Sequence, residues 1–314
     1  MKIMLIIKTN NSFSNGIRIW RSLERLGHEV HAVSFGKSVR DYQARYKKFQ
    51  PDFVFQTGVG YPKCDLEVQN SLKDLGAKLV MWYPDAYWLF QEPSRSYFLD
   101  AFNVLDLFLV TMKGHVEVSK PYTDKVVWAP HYFDSTFFKT SKDIKQENDI
   151  IFVGGKTEAS PQREEYLKEL ENKGYKLKVI GYGFTINDKK TEADWDGEHI
   201  AEAYKSSKIG LNIVSGGIFN CDLQFSARVY QSIGCGCFLL TEYIPNIETM
   251  FIPGVHLDVF YNKKEMIEKV DYYLSHLEIR EKIAEQGYQE VMKNHDIDIR
   301  VNQYLDIIKK RLYL

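Results

Sequence analysis

The stretch FSARVYQSIGCGCFLLTEYIPNIETMFIPGVHLD, residues 225–258, reads as a helix, a Gly-rich turn, a buried strand and a second loop, and that order decides the fold. Its apolar positions Phe225, Val229 and Ile233 fall at helical spacing and stop at Gly234, after which Gly236 permits a backbone conformation closed to other residues. Cys237 to Thr241 then runs apolar without alternation, the pattern of a strand buried on both faces. Sheets built from such strands take their ligands beyond the strands' carboxyl ends. Ser226 and Arg228 stand at the helix start, where unpaired amides and the helix dipole favour an anion, which makes them candidates for holding a phosphorylated ligand.

Working outward, strand and helix signals alternate from the first residue. Strands are expected at 2–8, 29–35, 52–58, 78–84, 105–112 and 125–130, with helices at 15–26, 38–48, 65–75 and 114–120 between them. That is the βαβ rhythm of a doubly wound parallel sheet. The pattern restarts with strands at 149–155, 176–183, 208–214 and 237–241 and helices at 161–173, 198–206 and 225–233, and it ends in helices at 263–275, 277–293 and 296–312. A chain of 314 residues exceeds what one core usually serves, and the polar run TSKDIKQEN at 140–148 suits a linker. Two Rossmann-like lobes are therefore expected, at 1–140 and 149–295, facing a cleft lined by the carboxyl ends of both sheets, with 296–314 as a helical tail.

Composition narrows the function. With 44% hydrophobic and 26% charged residues and a formal net charge of −1, the chain lacks the basic excess of a nucleic-acid binder, and none is expected as a partner. The apolar run Ile3 to Ile7 is too short for a signal segment or a membrane span, so a cytoplasmic protein is expected. Cys64, Cys221, Cys235 and Cys237 read as free, mostly buried thiols, because the Cys-Gly-Cys pair lacks a second ligand pair for zinc. Helix 38–48, VRDYQARYKKF, combines Arg40, Arg45, Lys47 and Lys48 with Tyr42, Tyr46 and Phe49, and reads either as a solvated helix or as a peripheral contact for an anionic membrane.

Three segments carry a family resemblance. SNGIRIWRSLERLGHEVHAV at 14–33 resembles a Gly-loop, helix and strand entry with Leu23, Gly27, His28, Glu29 and Val30, and DIIFVGG opens the second lobe. The run from Trp195 and Gly197 through AYKSSKIGLNIV, the opening stretch and HLEIREKIAEQGYQEVMKNHDIDIR completes it. The chain resembles a GT-B glycosyltransferase, nearest to the spore-maturation CgeB-like group related to glycosyltransferase families 1 and 4. The resemblance implies transfer of a sugar from a nucleotide-diphosphate sugar, held mainly by the second lobe, to an acceptor held by the first, and a last helix that crosses back to the first lobe. Many family 4 members carry two glutamates eight positions apart. Here Gln231 occupies the second position and Leu223 the first, with Asp222 beside it. A carboxamide still bonds ribose hydroxyls, but the first carboxylate is missing or displaced, and the stereochemical outcome stays open.

The remaining candidates follow from their places in this pattern. Asp85 ends strand 78–84 amid Trp82, Tyr83, Tyr87 and Trp88, where it either caps the next turn or, with its pKa raised by aromatic shielding, takes the proton of an acceptor hydroxyl. His115 and His131 are either structural or available as a base. Gly154, Gly155 and Lys156 follow a strand and Arg163 lies on the next helix, so that with Arg228 they form a candidate clamp for a diphosphate that needs no metal ion or other cofactor. Tyr182, Gly183 and Phe184 stand where this fold accommodates a nucleobase, or form an ordinary covered turn. Asn10, Asn15 and Gly16 either contact a phosphate or acceptor through backbone amides or cap the first helix. Asp194 and Asp196 form a D-x-D, discounted as a metal site because it lies deep in the second Rossmann-like lobe and short acidic pairs are common in loops. The rival readings are a sugar-nucleotide epimerase of the same fold, an inactive subunit of that fold, and a two-lobed solute-binding protein.

Overall fold

The computed structural model describes the chain apart from residues 10–13, 61, 86–93, 141–142, 157–159, 187–188, 192–195, 215–222 and 224. Of the residues singled out above, Asn10, Tyr87, Trp88, Asp194, Trp195, Cys221 and Asp222 lie outside the described residues. Two compact units emerge, Met1–His131 together with Ile297–Leu314, and Tyr132–Asp296.

The first unit is a six-stranded parallel sheet: β1 (Lys2–Ile7), β2 (Glu29–Ser34), β3 (Phe53–Thr57), β4 (Leu79–Tyr83), β5 (Leu107–Val110) and β6 (Val126–Trp128), in the order β2-β1-β3-β4-β5-β6. Strands β3, β4 and β5 are buried at every position, which explains why their sequences show apolar runs and no alternation. Ile3 pairs with Val30 on one side and Phe53 on the other, so β1 sits where the winding reverses. Helices α1 (Asn15–Arg25), α2 (Val39–Phe49), α3 (Pro62–Lys73), α4 (Ser94–Val104) and α5 (Gly114–Ser119) connect the strands. The C-terminal helix α11 (Ile297–Leu312) packs in this unit on α1, where Asp298 accepts from Ser22 Oγ at 2.7 Å and Arg25 Nε at 2.9 Å.

Packing bears on two of the expected positions. A Cβ on Gly16 would lie 2.5 Å from Thr57 Oγ1 and 2.6 Å from Ile7 Cγ2, so this glycine lets the first turn of α1 press onto the ends of β1 and β3. On α2 the aromatic side chains turn inward. Tyr42 is buried with its hydroxyl donating to Ser34 O at 2.9 Å, and Tyr46 and Phe49 pack on the same core, so the helix offers no aromatic face to a membrane. No helix among the described residues is long and apolar enough to cross one.

The second unit has a five-stranded parallel sheet of β7 (Asn148–Val153), β8 (Leu177–Ile180), β11 (Ser207–Asn212), β12 (Phe238–Glu242) and β13 (Asp258–Phe260), ordered β13-β12-β11-β7-β8. A small antiparallel hairpin, β9 (Thr185–Ile186) and β10 (Lys189–Lys190), follows β8. Helices α6 (Gln162–Asn172), α7 (Gly197–Lys205), α8 (Ala227–Gly234), α9 (Lys263–Ser275) and α10 (Leu277–Asn294) complete it. The unit begins before the polar run at 140–148. Tyr132, Phe133 and Phe138 are buried, Phe133 donates its amide to His295 O at 2.9 Å, and a Cβ on Gly234 would strike the Phe133 ring at 2.4 Å. Packing sets this boundary, and Asn148 at the end of the polar run already opens β7.

Candidate functional site

In the second unit the strand order reverses between β7 and β11, and the chemistry gathers at that point. Beyond β7 the pairing continues without regular strand: the Gly154 amide donates to Ile180 O at 2.8 Å and the Lys156 amide to Tyr182 O at 2.9 Å. The contact is tight enough that a Cβ on Gly181, at φ 153°, would fall 1.9 Å from Gly154 O. Tyr182, 57% exposed, lies against Gly155, where a Cβ would meet its ring at 2.6 Å. The two loops thus present an exposed aromatic ring beside a bare glycine backbone.

Two arginines converge on that backbone. Arg163, 3% exposed on the first turn of α6, donates from Nη1 to Gly155 O and from Nε to Ile213 O, both at 3.1 Å, and so bridges the ends of β7 and β11. Burial first, and the neighbouring Arg228 charge second, pull its guanidinium down to about 9. Arg228, on the first turn of α8, stands where a Cβ on Gly154 would be 3.0 Å from its Nη1. Its Nε is buried without a hydrogen-bond partner, and burial lowers its pKa too. Two desolvated cations side by side are costly, and a bound anion relieves both the desolvation and the repulsion. The N-cap Ser226 supports this polarity, because its Oγ is buried and unpartnered at the same helix end. Gln231, one turn further on the same face as Arg228, is 6% exposed.

Other members of the expected clamp stand elsewhere. The Lys156 ammonium is held by Glu164 at 2.6 Å, and Glu164 also pairs with Lys168, so the structure does not bring Lys156 to the arginine pair. Phe184 is buried in the core, edge-on to Phe152 at 5.9 Å, and its ring is closed to a base. Gly183, at φ 88°, serves the turn. Asp196 caps α7 by accepting the Glu198 and His199 amides at 3.0 and 3.1 Å. Cys235 and Cys237 are buried and Cys64 is exposed, all three as free thiols.

One residue escaped the sequence reading. Glu242 ends β12 inside the opening stretch, accepts the Val214 amide at 3.0 Å and feels the Arg163 charge, while burial raises its carboxyl. The signal that singled out Asp85, a carboxylate at the carboxyl end of a buried strand, was present there as well.

The first unit has a cavity of about 550 Å³ at its own point of reversal, between β1 and β3. Lys8, Asn15, Ser34, Thr57 and Asp85 supply its polar lining. Asp85 keeps an exposed side chain, and desolvation by the protein around it raises its carboxyl. A buried network holds the adjoining loop: Asp65 Oδ2 accepts the Gly60 amide at 2.7 Å, and Gln56 Nε2 donates to Gly58 O at 3.1 Å. His131 is buried. Its Nε2 donates to Pro84 O at 3.2 Å and its ring meets Trp82 edge-on, which fixes the residue before Asp85. His115 is 5% exposed, is pushed down to about 4 by burial, and does not line the cavity. Asn15 accepts from Arg18 Nη2 at 2.5 Å within α1.

The fold has counterparts among known proteins. Residues 162–306 match the family model described as glycosyl transferase-like, a segment that includes Arg163, Arg228, Gln231 and Glu242. A glycosyltransferase from Rickettsia africae superposes with a TM-score of 0.70 at 14% identity, covering 99% of this chain and 98% of that one. HepE of Anabaena, solved with UDP-glucose, gives 0.70 at 11% identity over 99% and 100% of the two chains. An α-glucosyltransferase solved with UDP and DNA gives 0.67 at 12% identity over 98% and 99%. No curated protein sequence matches the chain. Two parallel-sheet α/β units with a helical C-terminal region therefore define the GT-B glycosyltransferase fold, and a glycosyl transferase-like segment spans most of the second unit.

Proposed function

We propose that this chain transfers a sugar from a nucleotide-diphosphate sugar to an acceptor hydroxyl. The observation that carries the reading is the pair of desolvated arginines, Arg163 and Arg228, converging on the bare Gly154–Gly155 backbone beside an uncapped helix start. Departure of a nucleoside diphosphate builds charge on its phosphates, and fixed cations in a water-poor site stabilise that charge more than mobile solvent does. Arg163, Arg228, Ser226 and the Gly154–Gly155 backbone hold the diphosphate, without a metal ion or other cofactor. Tyr182 stacks on the base, and Gln231 bonds the ribose.

Asp85 takes the acceptor proton in the first unit's cavity. Its raised carboxyl is a better proton acceptor than an ordinary aspartate. The acceptor is a glycan, a lipid-linked saccharide or a protein, and the net charge of −1 favours these over nucleic acid. The HepE and α-glucosyltransferase likenesses favour UDP among the nucleotides and a hexose as the sugar. The resemblance supports the CgeB-like group, and a cytoplasmic location goes with this reading.

The test is a thermal-shift titration with UDP, GDP, ADP, CMP and dTDP in the absence of metal, because a ligand at ~100 times its dissociation constant stabilises the fold by about 2.7 kcal/mol. UDP is expected to raise the melting temperature, and UDP-glucose to release UDP slowly to water. No shift with any of the five overturns the reading.

A further inference from the structure

The first turn of α6 and the end of β12 grip a single residue, Val214, where the chain leaves β11. The Val214 amide donates to Glu242 Oε2 at 3.0 Å, and its carbonyl accepts from Gln162 Nε2 at 2.8 Å. The preceding carbonyl, Ile213 O, accepts from Arg163 Nε, and Gly155 O accepts from Arg163 Nη1, each at 3.1 Å. Two consecutive side chains of one helix turn, Gln162 and Arg163, and the carboxylate of Glu242 therefore tie together the ends of β7, β11 and β12.

We infer that Gln162 and Glu242 are positioning residues of the anion site, fixing the β11 exit and, through it, the pose of Arg163. The inference rests on the donor reading of that site. A guanidinium has five N–H donors in a rigid fork, so anchoring two of them on fixed carbonyls sets the direction of the rest. One of those carbonyls, Ile213 O, shares its peptide group with the Val214 N–H that Glu242 accepts, and Gln162 holds the next carbonyl, Val214 O. Two consecutive peptides at the β11 exit are thus fixed, and preorganisation of this kind is what an anion site needs to act without rearranging. The charge pattern agrees. Glu242 faces Arg163 and Tyr166 of α6, and the Arg163 charge offsets part of the cost of burying its carboxylate. The arrangement also supplies a carboxylate to a site in which Leu223 is buried and the helix position carries Gln231.

Calorimetric titration of UDP into Gln162→Leu, Glu242→Leu, the double variant and Glu242→Gln tests this. Each leucine variant should weaken UDP about tenfold, the loss expected for one hydrogen bond in a site of this kind. The double variant should lose less than the product of the two, because both side chains grip the same residue. Glu242→Gln keeps an oxygen for the Val214 amide and should bind within about threefold of wild type. Unchanged affinity in the leucine variants, fully multiplicative losses, or a Glu242→Gln as weak as Glu242→Leu would overturn the inference. Should Glu242→Leu fail to fold, Gln162→Leu and Glu242→Gln decide, the first having to weaken UDP and the second having to bind it. If wild type binds no nucleoside diphosphate, the donor reading fails, and the same variants titrated with inorganic pyrophosphate judge the positioning separately: equal binding by wild type and Gln162→Leu rejects it.

Discussion

Each of the two sheets reverses its strand order once, between β1 and β3 in the first unit and between β7 and β11 in the second, and the two reversals are furnished differently. In the first unit the gap is a cavity whose walls are set by Gly16 and by the loop that Asp65 holds, with a carboxylate, Asp85, at its rim. In the second unit a buried arginine is stretched across the gap, and a second one lies against it. One architecture thus offers a polar hollow with a carboxylate at its rim in one place and a pair of arginines in the other, and under the proposed function the first receives the hydroxyl and the second the diphosphate.

Substitutions can break this contrast. Asp85→Asn should have the largest effect, a loss of turnover of roughly 10²- to 10⁴-fold, with UDP affinity unchanged, because only the proton acceptor is removed. Turnover of the wild type should fall tenfold per pH unit below the raised Asp85 pKa, since the acceptor must be ionised, and the pH–rate profile reads this directly. Arg228→Ala should weaken UDP roughly 100-fold, as loss of charge-assisted hydrogen bonds to a phosphate does, and should leave the melting temperature nearly unchanged or higher because a desolvated charge is gone. Calorimetry and a melting curve on the same sample separate the two effects.

His115 sharpens the comparison from the side of stability. Its folded pKa of about 4 lies below the unfolded value near 6.5, so the folded state resists protonation. The contribution is fully present above pH 6.5 and is lost as pH falls towards 4, to a total of roughly 3 kcal/mol. His115→Gln should flatten that acid limb in denaturant titrations and leave UDP binding untouched. Lys156→Ala should do least, because the pair with Glu164 is half-exposed and such pairs contribute between about 0 and 1 kcal/mol. UDP affinity within about twofold of wild type is expected, and a loss comparable to that of Arg228→Ala would show that Lys156 swings to the anion.

Much of this was legible in the sequence. Unbroken apolar strands and the glycines after them announced parallel sheets, the rule that ligands sit beyond strand ends led to Asp85, Gly154 and Gly155, and the start of a helix marked Arg228. Helix α4 is absent from the expected elements although Tyr97, Phe98, Ala101 and Phe102 follow helical spacing, because dense aromatic residues fit a binding surface as well as a buried helix face. The edge strand β13 and the β9–β10 hairpin are too short to leave a periodic signal. On α2 the spacing of Tyr42, Tyr46 and Phe49 was that of one buried stripe, with the basic residues on the other face, and composition alone hid it. Lys156 and Phe184 show the limit: neither the pairing with Glu164 nor the inward turn after Gly183 can be read from spacing, since both depend on how α6 and β8 pack. Glu242 and Gln162 act through a backbone amide and a carbonyl, groups that every residue carries and that no motif marks.

Hydrogen exchange with and without UDP tests the central asymmetry most directly, because it reports where the nucleotide sits without assuming which residues hold it. Protection is expected at 154–156, 181–183 and 226–231 of the second unit, with the cavity segments 14–18 and 57–60 of the first unit unchanged. Protection concentrated at 14–18 and 57–60, with the arginine segments unchanged, would contradict the assignment of the donor to the second unit.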